Sequence, residues 1–270
     1  MMTERVSLQR ISSLMESFGL KHSSKALADL LEKASAEDLT HREFLLSLLD
    51  TELKGRYERR RARSYAAAHF PINPRYIDEF DSTELESGIT EGQLHQLKEL
   101  TWIDARNNLI FVGSPGLGKT MITVGLGIHA IDAGYTVVFE KMINLIKLFD
   151  NDGKERNATF RLRNIRKAQL IIIDEIGYTP INREQANKFF NFVSDCYERC
   201  SIAFTTNKPI SEWSEVIGDP ILTTALLDRI LHHSRCFSLK GTSYRLKHPD
   251  MFYGTDKESY IGSNTKSTNQ

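Results

Sequence analysis

Apolar positions near the start of the chain recur at spacings of three and four. Leu8, Ile11, Leu14, Met15 and Phe18 form one such run, closed by Gly19, and this period predicts an amphipathic helix with a glycine stop. Leu27, Leu30, Leu31 and Ala34 carry a second run, with Ser23 and Ser24 as candidate caps. Thr40-His41-Arg42-Glu43 has the form of a capping box, in which Thr and Glu each satisfy an orphan amide. Phe44, Leu45, Leu48 and Leu49 then stripe the helix it opens, which is expected to run on toward Pro71. Residues 1–70 are therefore expected as a three-helix module.

Pro71, Pro74 and the acidic stretch DEFDSTELESG read as a linker over 71–96. From residue 97 the pattern changes. Short apolar runs at 109–112, 136–139, 170–173, 201–205 and 236–239 alternate with helical stretches. Runs without polar alternation fit strands buried on both faces, and the helices between them imply a parallel sheet covered on each side. The fold class is thus α/β, with a second domain expected over 97–253. Phe189, Phe190 and Phe192 are expected in the core under a sheet-covering helix. Residues 254–270 are polar and poor in apolar anchors, which predicts a disordered tail.

Composition narrows the class without changing it. An apolar fraction of 40% with 26% charged residues is ordinary for a folded domain. No apolar run approaches the roughly 20 residues that span a bilayer, so no membrane role is expected. Three cysteines and a start without a signal-peptide pattern predict a reducing cytoplasmic setting. Cys196, Cys200, Cys236 and His232-His233 lack the spacing of a zinc site. Although 35 basic and 35 acidic residues cancel, they are unevenly spread. Lys54, Arg56, Arg59, Arg60, Arg61 and Arg63 crowd around a single acid, Glu58. That run reads either as a solvated helix face or as a phosphate-contacting patch that releases counterions from nucleic acid.

The chemistry is most legible at Gly113-Ser114-Pro115-Gly116-Leu117-Gly118-Lys119-Thr120, which matches the P-loop pattern between an expected strand and an expected helix. Inward-turned amides at a helix N-terminus make a nest for phosphate oxygens. Lys119 can reach β- and γ-phosphates, and the Thr120 hydroxyl can ligate magnesium. The run 170–173 ends in Asp174-Glu175. Asp174 is the expected second magnesium ligand and Glu175 the general base that turns binding into hydrolysis. Asn207, at the end of Phe204-Thr205-Thr206, can hold the water or the γ-phosphate.

With these motifs in place the sequence resembles the AAA+ ATPases: GSPGLGKT their Walker A, IIIDE their Walker B and TTN their sensor 1. More closely, it resembles the IstB-like ATP-binding helpers of bacterial insertion sequences, relatives of the DnaC helicase loader and the DnaA initiator. EFLLSLLDTEL, ERRRAR, NLIFVGSPGLGKT, LIIIDEIGY, TTNKP and ALLDRILHHS carry the likeness, which covers residues 8–245. The resemblance implies a three-layer AAA+ domain behind a helical N-terminal domain, with ATP and Mg2+ as ligands. It implies a ring or helical homo-oligomer that binds and deforms double-stranded DNA and recruits or stimulates a transposase. It also implies an arginine finger at Arg229, a second-sensor candidate at Arg245 despite a shortened lid, and an extra helix within 142–166. Lys147, Lys154, Arg156, Arg161, Arg163, Arg166 and Lys167 make that last region basic, so Lys154, Arg156, Arg161 and Arg163 join Arg59, Arg60, Arg61 and Arg63 as candidate DNA contacts. Three other readings share the core: a helicase loader, a metabolic P-loop kinase and a nucleotide switch with little turnover.

Overall fold

A computed structural model of the chain describes residues 2–248, with side chains from Leu8 onward; the expected tail at 254–270 lies outside them. The chain divides into two compact units, Met1–Ser64 and Tyr65–Gln270.

The first unit contains α1 (Met2–Ser17), α2 (Lys21–Ala36) and most of α3 (His41–Ala68). Gly19 ends α1 in the left-handed region at φ +79°, and the amide of Leu20 closes back onto the Met15 carbonyl. The Thr40–Glu43 capping box forms as expected, with the Thr40 amide donating to Glu43 Oε2 at 2.8 Å. Ser23 and Ser24 do not cap α2. They lie inside it, buried, with Ser23 Oγ donating to the Leu48 carbonyl and Ser24 Oγ to that of Ser12. The cap comes instead from a distant carboxylate: Glu52 Oε2 accepts from the His22 and Ser23 amides at 2.8 and 3.0 Å. The chain exposes two of the orphan donors of α2 to α3, and only a buried acid answers both.

The second unit runs through α4 (Glu91–Lys98), α5 (Thr101–Asp104), β1 (Asn108–Gly113), α6 (Lys119–Asp132), β2 (Val137–Lys141), α7 (Met142–Asn151), α8 (Arg156–Ile165) and β3 (Leu170–Ile176). It continues with α9 (Arg183–Cys196), β4 (Ser201–Thr206), α10 (Trp213–Ile217), α11 (Pro220–His232), β5 (Ser234–Leu239) and α12 (Tyr244–Lys247). All five expected strands form. They pair in parallel in the order β2-β3-β4-β1-β5. Ile110, Ile171 and Ile173 pack on one face with the α7–α11 side chains. Leu109, Phe111, Leu170 and Ile172 pack on the other with α6. Both faces are covered, so the strands carry no polar alternation.

Residues 71–96, expected as a linker, pack into this unit: Ile77, Ile89 and Leu94 are buried in its core, and Ser87 pairs with Lys240. Phe189 and Phe192 are core as expected, whereas Phe190 is half-buried and carries a cation on its face. Among the described residues the only helix after β5 is the four-residue α12, and no helix is long and apolar enough to cross a membrane.

Candidate nucleotide site

With β4 inserted between β1 and β3, the carboxyl ends of three parallel strands open into one crevice, where such sheets bind ligands. β1 delivers the P-loop to it, β3 the two carboxylates, and β4 Thr205 and Thr206, with Asn207 following. The loop needs its glycines. Gly116 and Gly118 sit at φ +84° and +83°, and a Cβ on them would meet Ser243 Oγ at 2.0 Å and the Phe80 ring at 2.6 Å. Gly118 is also the N-cap of α6, so the first amides of that helix point into the crevice.

Lys119 Nζ donates to the carbonyls of Gly113 and Ser114 at 2.7 and 2.8 Å. Burial pulls its pKa below the usual ammonium value, with the Arg245 guanidinium adding to the effect and Asp174 opposing it. Asp174 is buried. Burial raises its pKa, while hydrogen bonds from Thr205 and Thr120 work the other way. Thr120 Oγ1 lies 2.8 Å from Asp174 Oδ1, the same oxygen that accepts from Thr205.

Glu175 is aimed by a bulge. Ile173 pairs with Phe204 and Ile176 with Thr206, so β3 holds one residue more than β4 over this span. Glu175 takes φ +63° there, and its amide donates to Thr205 Oγ1 at 3.0 Å. A left-handed non-glycine residue costs on the order of 1 kcal/mol and persists where the surroundings over-determine it. The Glu175 carboxylate meets Lys141 Nζ at 3.0 Å, because Lys141 ends β2 in register with Asp174 on β3. Asn207 Oδ1 is buried with no hydrogen-bond partner among the described residues. An orphaned acceptor of this kind is rare in native interiors.

A cavity of about 430 Å³ joins these groups to an apolar wall of Pro71, Pro74, Phe80, Leu85, Val124 and Phe139. That volume lies within the range of small-ligand sites. A cationic end with inward amides, beside an apolar end, suits a nucleoside triphosphate. Thr120 and Asp174, a hydroxyl and a carboxylate, fit Mg2+, which keeps several waters and takes few protein oxygens.

Comparison with known proteins agrees. Residues 13–251 match the family model described as IstB-like ATP binding protein. The Pseudomonas aeruginosa protein of insertion sequence IS21 that is named for ATP binding is 37% identical over 240 residues, 89% of this chain and 90% of that one. Its counterpart from insertion sequence IS5376 of Geobacillus stearothermophilus is 36% identical over 221 residues, 81% and 86% of the two chains. The chain belongs to the IstB-like family. The crystal structure of DnaI shares the fold, with a TM-score of 0.51 at 14% identity over 63% of this chain and 95% of that one. This IstB-like protein is therefore a P-loop ATPase of AAA+ architecture.

Not every expected residue converges on the cavity. Arg245 does, on its rim, and the neighbouring Tyr244 amide donates to the Gly116 carbonyl at 3.0 Å. Arg229 does not line it; its guanidinium donates to Ala225 within α11 and lies 4.6 Å from the Phe190 ring centre. Lys154, Arg156 and Arg163 are exposed, as are Arg59, Arg60 and Arg63, while Arg61 is half-buried. Arg161 is turned inward, a correction to its expected place on a DNA surface. It pairs with Glu140 at 2.7 Å and donates to the Phe139 and Ala67 carbonyls. Sequence reasoning also missed Lys141, Thr205 and Phe80. Lys141 had a signal, since it is the polar residue ending a strand beside the acidic one. Phe80 had only its isolation as an aromatic among acids.

Proposed function

We infer that this protein is an ATP-driven, oligomeric, DNA-binding helper that works with a transposase during movement of a bacterial insertion sequence, in the cytoplasm. The match to the IstB-like family along residues 13–251, together with insertion-sequence relatives above 30% identity, carries that reading. A helicase loader would share the fold, but the DnaI likeness speaks to fold alone.

The chain's own residues support hydrolysis. Lys119 exchanges the Gly113 and Ser114 carbonyls for phosphate oxygens while the first amides of α6 hold the same group. Mg2+, held by Thr120 and Asp174, supplies neutralisation of the charge on the β- and γ-phosphoryl oxygens when bound. Glu175 takes the proton of the attacking water once Lys141 lets its carboxylate turn. The orphaned amide oxygen of Asn207 is an acceptor ready to orient that water. Arg245 stands at the phosphate end of the rim. Arg229, half-buried on α11 and not among the residues lining its own cavity, suits a role in the cavity of a neighbouring copy, where a guanidinium stabilises charge on the transferred group. Phosphate contacts on DNA fall to Lys154, Arg156 and Arg163, which give affinity and salt dependence without sequence information.

The test is assembly on a long duplex, followed by electron microscopy and sedimentation, with ATP, with ADP, and with Glu175→Gln plus ATP. ATP-dependent particles on DNA, trapped by Glu175→Gln and able to capture the transposase of the same element, are expected. A protein that stays monomeric and ignores DNA in every nucleotide state would end this reading.

A further inference from the structure

The first unit is short of core. Among the described residues its buried apolar side chains are Met15 and Leu27 alone. Meanwhile Leu45, Leu46, Leu49 and Leu53 on α3 are 56, 60, 44 and 65% exposed. At 3.6 residues per turn these four leucines fall within a sector of about 100°. Arg56, Arg60 and Arg63 fall in the same sector, further along the helix. From Leu45 onward, one face of α3 is therefore apolar first and cationic afterwards. Its cationic end edges a cavity of about 310 Å³ lined by Lys21, His22, Arg56, Arg59, Arg60 and Arg63 above the buried Glu52.

Single exposed leucines need no explanation, but a contiguous row marks an interaction surface. A DNA backbone can use the arginines and has nothing to offer the leucines. A second copy of the same face is a poor match as well. Glu43, Asp50 and Glu58 lie outside the sector, and Glu52, just beyond its edge, is spent on His22, Ser23 and Arg56. Like copies would thus set arginines against a face without a usable acid. The geometry points to α3 as the seat for an amphipathic helix of a different protein, one whose apolar stripe runs into a cluster of Asp and Glu. This deepens the proposed function by naming the surface and the chemistry through which the helper meets its partner, and it rests on that reading only for who the partner is.

The probes are two labelled synthetic peptides with one leucine stripe, one ending in a glutamate run and the other in a lysine run, and a labelled random duplex. Anisotropy is read on the full chain and on Leu49→Ser/Leu53→Ser and Arg60→Glu/Arg63→Glu. The glutamate peptide binds and the lysine peptide does not. The leucine variant weakens the glutamate peptide about tenfold, and the charge-reversed variant exchanges the preference. Circular dichroism and ATP turnover stay unchanged in both variants, which separates a lost surface from a lost fold. Three results overturn the proposal. The leucine variant could bind the glutamate peptide as before while charge reversal weakens only the duplex, making α3 a phosphate surface. The leucine variant could lose self-association in sedimentation while neither peptide binds the parent chain, making the occupant a second copy. Or both peptides could bind alike. Assembly on DNA is measured separately, so any of these leaves the ATP-driven helper standing.

Discussion

Gly125 lies midway along α6, where an added Cβ would sit 2.7 Å from the backbone nitrogen of Ile77 and 2.8 Å from its Cα. In an open helix position, glycine to alanine gains about 0.8–1.0 kcal/mol. Here the methyl meets main chain, which cannot swing aside as a side chain would, and overpacking of this kind costs about 1–3 kcal/mol. The net expectation for Gly125→Ala is a loss of up to about 2 kcal/mol. Ile77 belongs to the stretch that also carries Phe80 and Leu85 to the cavity wall, so nucleotide affinity should fall with stability. Gly92 on α4 is the internal control: nothing lies within 4 Å of its added Cβ, and Gly92→Ala should gain a few tenths to about 1 kcal/mol. The chain's two tryptophans, Trp102 and Trp213, are both buried in the second unit, so their fluorescence in urea follows that unit alone. With a slope of about 2–3 kcal/mol per molar urea, the midpoint should drop by up to about 1 M for Gly125→Ala and rise slightly for Gly92→Ala. A labelled ATP analogue should bind less tightly to the first variant only. If Gly125→Ala matches Gly92→Ala in stability and keeps its affinity, the close packing of α6 on Ile77 is refuted.

Four further expectations follow from other residues. Lys141→Met frees Glu175 from its 3.0 Å ion pair, so basal phosphate release should rise several-fold; an unchanged rate would mean that the pair does not restrain the base. Burial raises the Glu52 carboxyl, but hydrogen bonds from Arg56, Ser23 and His22 outweigh it and hold the group below its ordinary value. A depressed carboxyl contributes stability that is present above the unfolded value of about 4.3 and lost as pH falls through the folded value. Helical circular dichroism should therefore show the chain losing helix in acid, and Glu52→Gln should flatten that loss while costing about 1.5–3 kcal/mol at neutral pH. Arg161→Ala leaves the buried Glu140 unpaired, and tryptophan-monitored unfolding should register a loss of about 3–5 kcal/mol. Arg163→Ala, on an exposed residue, should leave stability alone and lower the salt slope of duplex binding by about 1.

The parts of the fold that could be read in the sequence are those whose signal is local. The five strands are continuous β-rich runs because both sheet faces are covered, and the P-loop is a contiguous pattern with its own strand and helix on either side. The parts that could not be read depend on distant residues. Ser23 and Ser24 have the right chemistry for caps, but Glu52, some thirty positions away, reaches the α2 amides first. Arg161 looks like its exposed neighbours in a basic run, yet α8 turns it onto Glu140. The 71–96 stretch carries the prolines and acids of a linker. Its few apolar residues are enough to dock it, because α6 offers Gly125 where Ile77 must approach.

The candidate site shows the same division at the scale of chemistry. Asp174 and Thr120, proposed to hold Mg2+, are already within hydrogen-bond distance of each other. The end proposed to carry hydrolysis is held short of action. Glu175 is aimed by a bulge that no residue pattern announces, and its carboxylate is engaged by Lys141. Asn207 keeps an acceptor without a donor among the described residues, and Arg229 rests on Phe190 and is not among the residues lining the cavity. A site that can grip a triphosphate before it can cleave one is what the proposed function, with turnover waiting on assembly, requires. On the roles proposed for Glu175, Asn207 and Arg229, an isolated chain should bind ATP far better than it hydrolyses it.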